Sequence, residues 1–168
     1  MNLVNSNSIL PVSVGVYEFN FDLEKIRNEL QLHGEEKFDL NPLNSYFEDY
    51  TIERSKLNYT NVLMDRIDEA ARQWGLKLSN VWMHVQYPEQ STNTYHHQPA
   101  NTSFVYYVTV PSDSGTFAWD LTGINGPVIP VEVKENTAMF FPGWVPHKVT
   151  RNMSKEKRIS ISGNLDKI

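Results

Sequence analysis

The chain has 168 residues, 40% of them hydrophobic and 21% charged, with a formal charge of −5 and no cysteine. That apolar content excludes a disordered chain, and the acidic balance disfavours a surface that neutralises nucleic-acid phosphates or anionic lipid. Without cysteine there is no disulfide, thiolate metal site or cysteine nucleophile, so any metal must take nitrogen or oxygen donors.

A chain of this length fits one domain spanning 1–168, with a helical buttress over roughly 1–78 and a β core over roughly 79–168. The opening "MNLVNSNSILPVSVGVYEF" has no basic n-region, and no stretch approaches the ~20 apolar residues of a membrane span. The expectation is a cytoplasmic protein.

In chain order, "FDLEKIRNELQLHG" predicts a short amphipathic helix with Asp22 as N-cap, apolar Ile26, Leu30 and Leu32, and Gly34 as stop. His33 then falls at the helix end, where the dipole suffices to explain it. The stretch 35–50 is rich in turn formers and reads as an irregular connection with room for one short strand. "NYTNVLMDRIDEAARQWGLKL" predicts the strongest helix. Val62, Met64, Ile67, Ala70, Ala71 and Trp74 form its apolar set, and Gly75 its end.

From residue 79 the pattern changes to short alternating segments punctuated by Gly, Pro and Asn. Strands are predicted at 81–87, 103–110, 115–120, 128–133, 137–141, 145–149 and 157–164. Seven short strands of this kind fit a β-sandwich or jelly roll, with the earlier helices against one sheet.

Chemistry gathers on three segments. In "YHHQPANTSFVYYV", an extended chain puts His96 and Gln98 on one face and His97 on the other, so only one of the two histidines joins a given site. "FFPGWVPHKVTRN" brings His147 from a distant strand. In "KRISIS", Arg158 and Ser160 share a strand face, a planar fork with a hydroxyl beside it, suited to a carboxylate. His84 alternates with Trp82 and Gln86 in a strand and reads as a structural histidine. Tyr106 and Tyr107 alternate across the sheet, so one faces inward. Asp120 reads as structural, and Trp119 and Trp144 as pocket walls or core.

These segments together resemble the iron(II)- and 2-oxoglutarate-dependent oxygenases. The nearest likeness is to a branch common in phage and bacterial genomes with a His-x-His-Pro segment, an "FP…H.V" segment and a terminal "RISISGN"-like strand. The resemblance spans roughly 80–165 and implies a double-stranded β-helix (jelly roll) with N-terminal helices, an α+β arrangement. It also implies Fe(II), 2-oxoglutarate and O2 as partners, and hydroxylation of an unspecified substrate. His96 and His147 match the family's iron ligands, with Gln98 at the middle ligand position. Arg158 and Ser160 match the residues holding the distal carboxylate of 2-oxoglutarate, and Tyr106 is assigned to that acid as well.

The departure is Gln98, where the family carries a carboxylate or histidine. Three readings stay open: Gln98 is a weak donor, a register shift brings in His97, or water or an anion fills the position. A cupin-like binding module without turnover is the alternative to an oxygenase.

Overall fold

The computed structural model describes residues 12–37, 48–51 and 57–168. Ten strands and two α-helices appear among them. In chain order they are β1 (Gly15–Glu18), α1 (Leu23–Lys37), β2 (Glu48–Thr51), α2 (Tyr59–Arg72), β3 (Leu76–Gln86), β4 (Thr92–Tyr95), β5 (Thr102–Thr109), β6 (Phe117–Asp120), β7 (Val128–Val131), β8 (Thr137–Pro142), β9 (His147–Val149) and β10 (Arg158–Lys167). One six-stranded sheet runs β1-β8-β5-β10-β3-β2, and a four-stranded sheet runs β4-β9-β6-β7. Every pairing is antiparallel. The two sheets make the jelly roll that the strand pattern predicts.

Side-chain alternation in the larger sheet separates two cores. Phe104, Tyr106 and Val108 of β5, Ala138 and Phe140 of β8, and Ile161 and Leu165 of β10 pack with Ile26, Leu30, Leu63, Met64 and Ile67 of the helices. The intervening Val105, Tyr107, Met139 and Phe141 pack instead with Phe117 and Val149 of the smaller sheet. The helices therefore cover one face of the six-stranded sheet, and the functional groups collect on the other.

Asp22 caps α1 as expected, its Oδ1 accepting the Lys25 N–H at 3.3 Å. The helix does not stop at Gly34 but runs to Lys37. A glycine costs only about 1 kcal/mol in a helix, and the Glu-Glu-Lys that follows favours continuation. In α2 the buried set is Thr60, Leu63, Met64, Ile67, Ala70 and Ala71. Val62 and Trp74, expected in the core, are 52% and 42% exposed. The short strand anticipated in 35–50 is β2, while 38–47 lies outside the described residues. Two further strands escape sequence reading: β1, and β4 with its sequence Thr-Asn-Thr-Tyr, which shows no apolar alternation.

The two helices are joined by one carboxylate. Glu29 of α1 accepts the backbone N–H groups of Asn58, Tyr59 and Thr60, at 2.8, 2.8 and 2.9 Å, and the Thr60 hydroxyl at 2.9 Å. It does from a neighbouring helix what an N-cap side chain does locally. Replacing Glu29 by alanine is expected to lower the unfolding free energy by about 1–2 kcal/mol, read as a shift in the urea midpoint at unchanged slope.

Candidate functional site

A cavity lies between the two sheets. Its walls include His84, Tyr95, His97, Tyr107, Phe117, Phe141, His147, Arg158, Ser160 and Ser162. Among the described residues, no aspartate or glutamate lines it.

Strand register brings these groups together. On β10, Ser160 is flanked by His84 of β3 on one side and Tyr107 of β5 on the other. Alternation keeps Arg158, Ser160 and Ser162 on that cavity face, while Ile159 and Ile161 pack toward the helices. An irregularity in the β5–β10 ladder between Ile159 and Ser160 sets this register. Bulges of this kind re-aim side chains beside binding sites.

Across the cavity, His147 opens β9 and pairs in register with Tyr95, the last residue of β4. It is 2% exposed. Its Nδ1 lies 2.9 Å from the Val145 carbonyl oxygen. A carbonyl can only accept, so Nδ1 carries the proton and Nε2 of the neutral ring keeps its lone pair. The ring lies 5.0 Å, centroid to centroid, from that of His97 and 4.4 Å from that of Tyr95. Burial lowers the His147 pKa to about 4; the Val145 hydrogen bond acts in the opposite sense, and His97, His84 and His96 lower it further.

Arg158 is 3% exposed. Its guanidinium carbon sits 5.4 Å from the centre of the Tyr107 ring. Both Arg158 Nε and the Tyr107 hydroxyl are buried without a hydrogen-bond partner. Burial pulls the arginine's pKa down, partly offset by Tyr107, and pushes the tyrosine's up. Buried polar groups are nearly always satisfied, so two such donors side by side at a cavity wall are unusual.

The predicted site residues divide. His147, Arg158 and Ser160 converge on the cavity. His96 and Gln98 do not: both are exposed, and the Gln98 N–H donates to His96 Nδ1 at 3.3 Å. The expectation chose the wrong face of the segment, because the parity is set by Tyr95. With Tyr95 facing the cavity opposite His147, His97 two residues on faces it too. Tyr106 also falls on the other side, its ring in the helix-facing core and its hydroxyl donating to Asn136 Oδ1 at 2.5 Å. Tyr107 takes the cavity position. His84, read as structural, lines the cavity with Nε2 3.3 Å from the Thr92 hydroxyl. Asp120 does not line it. That carboxylate is engaged by Lys148 at 2.8 Å, Thr94 at 2.5 Å and the Thr122 hydroxyl at 2.6 Å, which hold it well below the usual carboxylate range.

Gly143, in the turn between β8 and β9, ties the two histidine segments together. Its carbonyl accepts the His97 N–H at 2.7 Å, and its N–H donates to the Asn101 carbonyl at 3.1 Å. A Cβ here would stand 2.5 Å from the Ala100 carbonyl oxygen, so only glycine allows this approach.

Residues 80–164 match the family model described as "Putative 2OG-Fe(II) oxygenase". A search of curated proteins returns no match. Among solved structures, the chain is similar to the non-haem α-ketoglutarate-dependent carbocyclase SnoK from nogalamycin biosynthesis, with a TM-score of 0.72, 14% identity, and coverage of 86% of this chain and 74% of that one. It is similar to a viral collagen prolyl hydroxylase from Paramecium Bursaria Chlorella virus-1, with a TM-score of 0.68, 11% identity, and coverage of 92% and 96%. A Pseudomonas putida prolyl-4-hydroxylase gives a TM-score of 0.66, 19% identity, and coverage of 94% and 92%. At these identities the solved structures establish the fold.

The buried imidazole carries its own stability signature. The folded pKa of His147, about 4, lies below the ordinary 6.5, so the unfolded chain takes up the proton first as pH falls. Stability from this residue is complete above about 6.5 and drains toward 4, at up to ~1.4 kcal/mol per pH unit. Urea denaturation across that window is expected to show the loss, and His147→Gln to flatten it.

Proposed function

The chain belongs to the 2OG-Fe(II) oxygenase family, and on that premise we propose that His97 and His147 hold the iron while Arg158, Ser160 and Tyr107 hold the far carboxylate of 2-oxoglutarate. The chain is an Fe(II)- and 2-oxoglutarate-dependent oxygenase, with 2-oxoglutarate and O2 as its co-substrates. The assignment of residues replaces His96 by His97 and Tyr106 by Tyr107, and it gives the exposed Gln98 no part.

One observation carries the reading: a buried guanidinium Nε and a buried phenol hydroxyl, both without a hydrogen-bond partner, share a cavity with the imidazoles of His84, His97 and His147. An unpaired buried cation costs several kcal/mol. Arg158 is worth that cost if its partner is an exchangeable anion. The planar fork suits a carboxylate, and the hydroxyls of Ser160 and Tyr107 add donors of fixed direction. His147 supports the metal role, since its Val145 hydrogen bond fixes the tautomer and orients the ring.

The donors fit the two co-factors unequally. The carboxylate end of 2-oxoglutarate is well matched. Iron finds two imidazoles, and among the described residues no three His, Asp or Glu side chains gather to hold a metal ion. When bound, Fe(II) and 2-oxoglutarate supply the activation of O2. The chain's own residues position both, and the aromatic walls, among them Phe117 and Phe141, keep bulk water away from them.

Anaerobic addition of Fe(II) and 2-oxoglutarate is expected to give their visible charge-transfer band, and admission of O2 to release succinate. His147→Ala and His97→Ala are expected to lose the band, whereas His96→Ala keeps it. Arg158→Gln is expected to weaken 2-oxoglutarate binding by about 10- to 100-fold, the worth of a charge-assisted hydrogen bond. A band that survives in His97→Ala and disappears in His96→Ala would reverse the assignment.

A further inference from the structure

A second concavity, a groove of about 750 Å³, lies on the surface and shares no lining residue with the cavity between the sheets. Its walls are the connection from β5 to β6 (110–116), the segment 130–133 at the end of β7, and 150–153 after β9. Backbone bonds fasten the first wall to the third. The Met153 N–H donates to the Asp113 carbonyl at 2.8 Å, and the Thr150 N–H to the Thr116 carbonyl at 3.0 Å. Gly115, at φ +87°, passes so near the Thr150 carbonyl that a Cβ would collide with it. The groove is therefore preformed, which lowers the cost of filling it. Its chemistry has two parts. Val110, Val131 and Val133 line it with aliphatic groups that also pack on the core between the sheets, and Met153 stands beside them at 63% exposure. Against these sit three oxygen-bearing side chains. Ser114 is 1% exposed, and its hydroxyl is buried with no hydrogen-bond partner. The exposed carboxylates of Asp113 and Glu132 meet no cation among the described residues. The arginine of the groove, Arg151, is tied to Glu89 at 3.1 Å.

We propose that this groove docks a lysine-bearing, otherwise apolar segment of a partner polypeptide, whose ammonium is received by Ser114, Asp113 and Glu132. Two carboxylates and an unpartnered hydroxyl are a set of acceptors, and an ammonium carries three donors. The aliphatic walls suit the stem of a lysine, which packs on apolar surface while its charged head reaches acceptors. One lysine side chain fills only a small part of the groove, whose volume is that of a site for a larger ligand, so neighbouring residues of the same segment belong in it. Pro130 denies a backbone donor to β7, the edge strand of its sheet. The segment is accordingly gripped by its side chains and is not added as a further strand. This docking stands apart from the assignment of the co-substrate residues and does not depend on it.

Two fluorescein-labelled peptides built of valine and proline serve as probes, one carrying lysine and the other norleucine, which keeps the stem and lacks the ammonium. Anisotropy with the full chain is expected to rise saturably for the lysine peptide and to give at least about tenfold weaker binding for the norleucine peptide. Asp113→Asn with Glu132→Gln is expected to abolish that preference. Glu18→Gln with Asp166→Asn, which removes the same charge outside the groove, is expected to keep it. Ser114→Ala deletes a buried hydroxyl that bonds to nothing, so it is expected to leave the thermal midpoint unchanged or raised while weakening the lysine peptide about three- to tenfold. Equal binding of the two peptides, or no saturable binding of either, overturns the proposal. So does an equal loss in both pairs of carboxylate variants, which reports general attraction to an acidic protein. Displacement of the peptide by n-butylamine at equal concentration overturns the polypeptide as occupant. The contrast between lysine and norleucine on the unaltered chain decides the matter without any variant.

Discussion

The site depends on the two-residue period of β10. One parity, Ile159, Ile161 and Leu165, points into the oily layer beneath the helices. The other, Arg158, Ser160 and Ser162, points between the sheets. A slip of one residue would send the guanidinium into the helix core and the isoleucines into the cavity. Hydrophobic burial on one side of the strand thus fixes the position of the polar groups on the other. The neighbouring strands repeat the division: Phe104 and Tyr106 against Val105 and Tyr107 on β5, Ala138 and Phe140 against Met139 and Phe141 on β8.

The two sheets contribute different chemistry. The larger one presents the arginine, the serines, the tyrosine hydroxyl and His84. The smaller one and its connections present Tyr95, His97 and His147. Arg158 and the serines therefore meet the imidazoles of His97 and His147 only where the two sheets face each other. Phe117 and Phe141 bind that closure directly, their rings 6.0 Å apart and each within 5.3 Å of the His147 ring, centroid to centroid. The same packing that stabilises the sandwich strips water from the histidine, which is why its pKa falls so far.

How much of this was legible in the sequence followed from the range of the information needed. The pattern "RISIS" carries its own parity, so Arg158 and Ser160 could be placed together from five residues. His147 was legible because an apolar strand and a Gly/Pro turn introduce it. "FVYYV" could not say which tyrosine faces inward, since both neighbours are apolar. The answer comes from the partner strand, where Tyr107 lies opposite Ser160. "YHHQP" failed for a similar reason. Its parity is anchored by the Tyr95–His147 pairing, fifty-two positions distant and invisible locally. The strand before it, Thr92–Tyr95, was missed because a short polar strand at the edge of the smaller sheet buries too little to leave a pattern.

Gly143 makes the two histidine-bearing segments a single mechanical unit. Its carbonyl holds His97 in place while the turn it occupies leads, four residues on, to His147. Because its hydrogen atom rests against the Ala100 carbonyl where any larger group would collide, neither segment can lengthen or drift without dragging its counterpart. Laboratory redesign of the pocket mouth would accordingly have to treat residues 96–101 and 142–147 as one linked block, exchanged together or left alone.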